Sequence, residues 1–241
     1  MIGEQIRKKF DGLQWVLLLE AHPEFADSCD WNKLDGCCWS RLLKTHPEFA
    51  GQCGKWDEFS GENWSRLLAA QPQFADHCDW SRLDGENWDF LLSARPEFAD
   101  RCGRWDQFDG LDWFILLSEH PEFADRCDWD KLDEWNWVFL LTARPEFADK
   151  CGKWDRFDGE MWSRLLTFRP QFADQCDWSK LGGRDWAGLL SDRPQFANHC
   201  SWDKLDGEDW LVLLSDRPEF ADDCGGRNIK PAANWDNPET I

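Results

Sequence analysis

One cassette occurs nine times in this chain of 241 residues, and its prolines mark the period. These prolines lie 24 or 25 residues apart, at Pro23, Pro47, Pro72, Pro96, Pro121, Pro145, Pro170, Pro194 and Pro218. Each copy contains Trp-x-x-Leu-Leu, the proline with a following Phe-Ala pair and a cysteine, and every copy but the last adds a short polar link and a second tryptophan. A period of about 20–50 residues indicates stacked repeat units. Positions shared by all copies are therefore expected to be scaffold, and positions that break the pattern are candidates for function.

The spacing within the cassette predicts helices. In the fourth copy Asp84 is a good N-cap, and Trp88, Leu91 and Leu92 fall on one helical face. Pro96 ends that helix, because the residue before a proline is disfavoured in the α region, and it suits the start of a second short helix. The Asp-Gly pairs could also mark β-hairpins, but nothing alternates with period two beside them. The expected fold class is all-α.

The link between copies alternates in length. The longer link is followed by phenylalanine and the shorter by leucine, at Phe59, Phe108 and Phe157 against Leu34, Leu83, Leu132 and Leu181. The expected architecture is an α-solenoid, or superhelix, of about nine 24/25-residue repeats that pair into modules of about 49 residues. The last interval breaks the alternation. Residues 1–9 are expected to form an N-terminal cap, 10–224 the solenoid, and 225–241 a non-repeat tail or cap with Trp235 as anchor.

This architecture resembles the leucine-rich-repeat-variant α-solenoids, whose units of 24 residues also pair one α-helix with a shorter helix. The resemblance covers the period and helix content of residues 10–224, while the motif letters differ. The Trp-x-x-Leu-Leu and Pro-x-Phe-Ala-Asp signatures are also similar to those of uncharacterised bacterial tandem-repeat proteins, which carry no established activity. The near identity of the copies indicates recent duplication or a consensus design.

Nine of the 11 cysteines occupy one equivalent position per repeat. Neighbouring stacked helices lie about 8–10 Å apart, whereas a disulfide needs Cα atoms within about 7 Å. The ladder is therefore interpreted as reduced, buried thiols, which favours a cytoplasmic location. Cys37 and Cys38 lie off the ladder and are the candidates for reactive thiols. No secretory signal and no membrane span is expected, because the apolar runs are short.

The chain contains no motif for a catalytic nucleophile, zinc or phosphate. We therefore expect no enzyme activity, catalytic residue, cofactor or metal. His22, His46 and His120 share the slot before the proline, where other copies carry glutamine or arginine. One interpretation is a cationic stripe for an anionic ligand. The favoured one is a base at each helix C-terminus that also pairs with an acidic row, formed by Asp27, Asp76, Asp100, Asp125, Asp149, Asp174 and Asp222.

Nineteen tryptophans could indicate carbohydrate or choline binding, but most occupy the two repeated slots at helical spacing from leucines. Core packing is the favoured interpretation, with the extra Trp135 as the exception.

A helical wheel places the positions one and two after the repeat tryptophan, and two before it, away from the leucine face. Three central copies carry apolar residues there, at Phe90, Leu111, Phe114, Ile115, Trp135, Val138 and Phe139. An apolar patch of this kind is typical of an interaction site. Burial under a second layer of the solenoid, or self-association, would also explain it.

The net charge is −20, with 47 acidic and 27 basic residues. Such a charge disfavours direct nucleic-acid binding and can serve solubility or attract a basic protein. The leading hypothesis is a non-enzymatic scaffold that binds a protein or peptide through the apolar patch. The alternatives are an acidic rod that mimics nucleic acid for a basic protein, and a purely structural or self-associating repeat protein.

Overall fold

The computed structural model describes residues 8–223, and these fold into helices without a β-strand. Nine α-helices of ten residues carry the repeated tryptophans: α1 (Gly12–Ala21), α2 (Gly36–Thr45), α3 (Gly61–Ala70), α4 (Gly85–Ala94), α5 (Gly110–Glu119), α6 (Glu134–Ala143), α7 (Gly159–Phe168), α8 (Gly183–Asp192) and α9 (Gly207–Asp216). Successive helices contact each other from α1 to α5 and from α6 to α9. The all-α solenoid is thereby confirmed, while the expected tail 225–241, and nearly all of the expected N-terminal cap 1–9, lie outside the described residues.

Two 3₁₀-helices complete each repeat. The first kind begins at the repeat proline: Pro23–Ser28, Pro47–Gln52, Pro72–His77, Pro96–Arg101, Pro121–Arg126, Pro145–Lys150, Pro170–Gln175, Pro194–His199 and Pro218–Asp222. The second kind begins at the other tryptophan: Trp31–Lys33, Trp56–Glu58, Trp80–Arg82, Trp105–Gln107, Trp129–Lys131, Trp154–Arg156, Trp178–Lys180 and Trp202–Lys204. The sequence pattern therefore predicts the elements correctly, and the short ones have 3₁₀ geometry.

Local hydrogen bonds set the ends of each α-helix. At the start of α4 the Asp84 side chain accepts a hydrogen bond from the backbone N–H of Asn87 at 3.0 Å. At its end the N–H of Arg95 donates to the Leu91 carbonyl at 2.7 Å. Arg95 then leaves helical geometry, with φ −143° and ψ 73°, as a residue before proline should. The capping aspartate and the proline thus give the main helices one length.

The two leucines of the cassette point toward opposite neighbours. The leucine three residues after the repeat tryptophan has no exposed surface in eight α-helices, but Leu18 in α1 is half-buried. The leucine four residues after it is fully buried except in α9, where Leu214 is half-buried. We infer that the first position packs toward the preceding repeat and the second toward the following one. A repeat with a neighbour on either side is thus buried on both, whereas α1 and α9 each keep one less buried side.

The second tryptophan of each cassette stacks on the first tryptophan of the next copy. Trp80 lies 5.4 Å from Trp88, centroid to centroid, at an interplanar angle of 15°. Trp80 also lies 5.4 Å from Phe98 of the following 3₁₀-helix. Equivalent stacks recur along the described chain, which confirms that these tryptophans serve packing.

The alternating link appears in the backbone. Before Trp80, on a short link, Asp79 has φ −82° and ψ 89°. Before Trp105, on a long link, Arg104 has φ −128° and ψ 33°.

The repeats divide between Leu132 and Asp133 into two compact units, the first with α1–α5 and the second with α6–α9.

Candidate partner-binding surface

The row before the prolines forms hydrogen bonds between repeats. Arg95 Nε donates to the carbonyl of Ala69, near the C-terminus of α3, at 2.9 Å. His120 Nε2 lies 2.9 Å from the Ser93 carbonyl oxygen in the same arrangement. The expected pairing with the acidic row is wrong, because the nearer carboxylate is the glutamate two residues on, as with Glu97 at 3.9 Å from Arg95. The row therefore serves as an inter-repeat cap, and the acidic row stays exposed.

The ladder cysteines in residues 8–223 are free thiols, and each is buried or half-buried. Burial raises the pKa of Cys53 to about 11 and that of Cys127 to about 12. Burial and the neighbouring Asp35 also raise the pKa of the Cys38 thiol to about 11, so Cys38 is a poor nucleophile at neutral pH. Cys37 is exposed and stays the better candidate for a reactive thiol.

Phe90 and Leu111 are exposed, as the helical wheel indicates. Phe90, two residues after the tryptophan of α4, is 49% exposed, and Leu111, two before that of α5, is 54% exposed. Phe114 and Ile115 on α5 are half-buried. The first unit thus presents two strongly exposed apolar side chains with partly covered neighbours.

Val138 does not face outward. Its side chain has no exposed surface, and the equivalent Val16, Ser65 and Ala187 are buried as well. In α9, the last described α-helix, the equivalent Leu211 is 58% exposed. The position one after the tryptophan therefore faces the following repeat. The prediction was wrong because it assumed one buried face, whereas a stacked helix has neighbours on both sides.

Trp135 and Phe139 form an aromatic pair on α6 in the second unit. Their ring centroids lie 5.7 Å apart at an interplanar angle of 29°, and both side chains are half-buried. The Arg164 guanidinium of α7 lies over Phe139 at 5.1 Å from the ring centroid. The pair offers a mixed apolar and cationic edge.

Two surface cavities in the first unit share Arg66 and Phe90. The larger, of about 550 Å³, is lined by Ser60, Gly61, Glu62, Ser65, Arg66, Arg82, Asp84, Glu86, Asn87 and Phe90. The smaller, of about 470 Å³, is lined by Lys44, Arg66, Ala69, Ala70 and Phe90. The sequence patch did not contain these further residues, because they come from separate repeats. The sequence contains one sign of them: the position two after the repeat tryptophan, which is Phe90 in α4, holds arginine in α2 and α3.

Asp89 is a buried acid beside this surface. It is 8% exposed, and within the described chain its Oδ1 has no hydrogen-bond partner. Burial and the nearby Asp112 raise its pKa to about 7. The pKa of Asp112 is raised as well, chiefly by burial. These two carboxyl groups destabilise each other, so we assign them to the helix packing rather than to chemistry.

Within residues 8–223, no group of three or more histidine, cysteine or acidic residues is arranged to hold a metal ion. None of the helices there combines the length and apolarity that crossing a bilayer requires. Comparison with protein families, with curated proteins and with solved structures gave no match. The fold defines the chain as a helical tandem-repeat protein.

Proposed function

We propose that the chain is a non-enzymatic repeat scaffold that binds a peptide segment of a partner protein at Phe90. The observation that carries the proposal is the position of Phe90, half-exposed between two cavities of about 550 and 470 Å³. A concave surface with an exposed aromatic side chain is typical of a recognition site. Leu111 would extend the apolar contact on α5.

Local charge favours a particular partner chemistry. The smaller cavity brings Lys44 and Arg66 beside Phe90, Ala69 and Ala70, although the whole chain is acidic. Arg66 also pairs with Glu62 at 2.8 Å, a solvent-exposed ion pair that a ligand carboxylate can exchange at little cost. The surface therefore suits a segment with a large apolar side chain next to an aspartate or glutamate.

The second unit provides a separate contact in this proposal. Trp135 and Phe139 are half-buried aromatic rings, and Arg164 lies over Phe139. Aromatic side chains and arginine are the residues enriched at interaction hot spots. Val138 is no longer part of the proposed surface, since it is fully buried.

Peptide selection tests the surface. Random 12-residue peptides displayed on phage would be selected on the wild-type chain, with counter-selection on Phe90→Ser, and the recovered peptides titrated by fluorescence anisotropy. We expect an apolar anchor beside an acid, and at least about tenfold weaker binding to Phe90→Ser. Leu17→Ser is the matched control, because Leu17 occupies the same slot on α1 and is 49% exposed. Peptides that bind both variants equally would contradict the proposal.

A second candidate is the acidic rod that binds a basic protein. Its support is that the acidic row is exposed. The arginines before the prolines do not neutralise this row, because they donate to backbone carbonyls, as Arg95 and Arg193 do. Salt separates the two candidates in the same titration. Binding through Phe90 should persist at about 0.5 M NaCl, whereas binding to an acidic row should collapse.

The relation to leucine-rich-repeat-variant solenoids and to bacterial tandem-repeat proteins is part of this proposal. So is the cytoplasmic location, which rests on the free thiol ladder.

A further inference from the structure

Within each of the two units, the junctions between repeats use the same pair of faces: one face of a helix meets the preceding repeat, and the other meets the following repeat. At the junction of α3 and α4, a Cβ on Gly61 would touch the Arg82 carbonyl, so the first turn of α3 packs closely on the next repeat. In return Arg82 Nη1 donates to the Phe59 carbonyl at 2.8 Å, and Arg95 Nε to that of Ala69 at 2.9 Å. The following face therefore offers carbonyls and apolar side chains, and the preceding face offers donors.

Among the described residues, no repeat covers the face of α9 that would meet a following repeat. Leu211 is 58% exposed and Leu214 half-buried, in slots that neighbouring repeats bury elsewhere. Within the described residues, nothing lies within 4 Å of a Cβ built on Gly207. Ser215 is the equivalent in α9 of Ser191 in α8. The Ser191 carbonyl accepts a hydrogen bond from Arg217 Nε of the next repeat at 2.8 Å. The end of the described chain thus presents the acceptor face of a junction.

No complete repeat precedes α1 within residues 8–223, so its preceding face is the complementary one. Leu18 is half-buried in the slot that is fully buried in the other α-helices. His22 occupies the donor slot with its side chain 57% exposed, and the nearest acid is Glu24 at 3.1 Å from Nδ1. Lys9 occupies the slot from which Lys33 Nζ donates to the Phe10 carbonyl at 2.6 Å. This end presents the donor face.

We propose that copies of this chain associate end to end, with the α1 face of one copy on the α9 face of another. The contact continues a junction that the chain already forms between its own repeats, with matching leucines, donors and carbonyls. Because the two faces differ, the contact is heterologous, and a pair of copies still has one donor face and one acceptor face for further copies. The assembly therefore grows beyond two copies and does not stop at a symmetric dimer. This interface is separate from the proposed peptide surface on α3–α5.

Sedimentation velocity on the full chain tests the proposal. One repeat junction is small, so we expect association at about 10–100 µM, with an average mass that keeps rising beyond a dimer. Leu18→Arg and Leu211→Arg should each be monomeric over that range, while an equimolar mixture of the two should form a dimer and stop there. Each variant keeps one intact face, and only one productive contact per pair remains.

The control is Leu13→Arg, which should assemble like the wild type. Leu13 is exposed, and the equivalent residue is exposed in every described repeat except that of α6, where Trp135 is half-buried. If Leu18→Arg unfolds by circular dichroism, His22→Glu replaces it, because His22 is exposed. A wild-type chain that stays monomeric at about 100 µM would overturn the proposal. A closed dimer that survives in both single variants would overturn it too.

Discussion

Replacing Asp89 with serine should raise the free energy of unfolding by about 2–4 kcal/mol near pH 7.5. Asp89 is 8% exposed, and its Oδ1 has no partner in the described chain. The equivalent Ser65 donates instead to the Glu62 carbonyl at 3.2 Å, a bond that serine at position 89 can reproduce with Glu86. The substitution removes a buried charge and provides a satisfied hydroxyl.

The gain should depend on pH in a definite direction. Burial raises the pKa of Asp89 from 3.8 to about 7 in the folded chain. Its protonated form therefore supports the fold fully below about pH 4, and this support is lost as the pH rises through about 7. Urea unfolding from pH 4 to 8 should show the difference between Asp89→Ser and wild type closing toward pH 4. The exposed Asp106→Ser should change stability by no more than about 0.5 kcal/mol. A gap for Asp89→Ser that is constant over this range would contradict the account.

Leu91→Ala should cost about 3–4 kcal/mol, whereas Leu18→Ala should cost about 1 kcal/mol. Both leucines follow their tryptophan by three residues, but Leu91 has no exposed surface and Leu18 is half-buried. The cavity left by truncation is closed off only where a preceding repeat covers the side chain. Urea unfolding of the two variants measures the difference. Equal losses would show that this slot does not face the preceding repeat.

The sequence predicts the repeated elements well because each has a strong local cause. Asp84 caps its helix, Pro96 ends it, and the spacing of Trp88 from the leucines marks the buried stripe. The exposure of Phe90 and Leu111 follows from the same wheel.

The wheel fails where burial depends on neighbours along the stack. Val138 and Asp89 share one slot, and the following repeat buries both, which the periodicity of a single helix does not report. The acceptors of the row before the prolines were missed for a similar reason: Arg95 and the Ala69 carbonyl are 26 residues apart. The cavities at Phe90 likewise combine residues from separate repeats.

The rows of tryptophans and leucines hold the fold, whereas Phe90 and Leu111 are exposed and, in our proposal, available to a partner. The melting temperature of the Phe90→Ser/Leu111→Ser double variant tests this division. Both side chains are about half exposed, so we expect a melting temperature within about 2 °C of the wild type. A fall of more than about 10 °C would show instead that these two side chains hold the stack together.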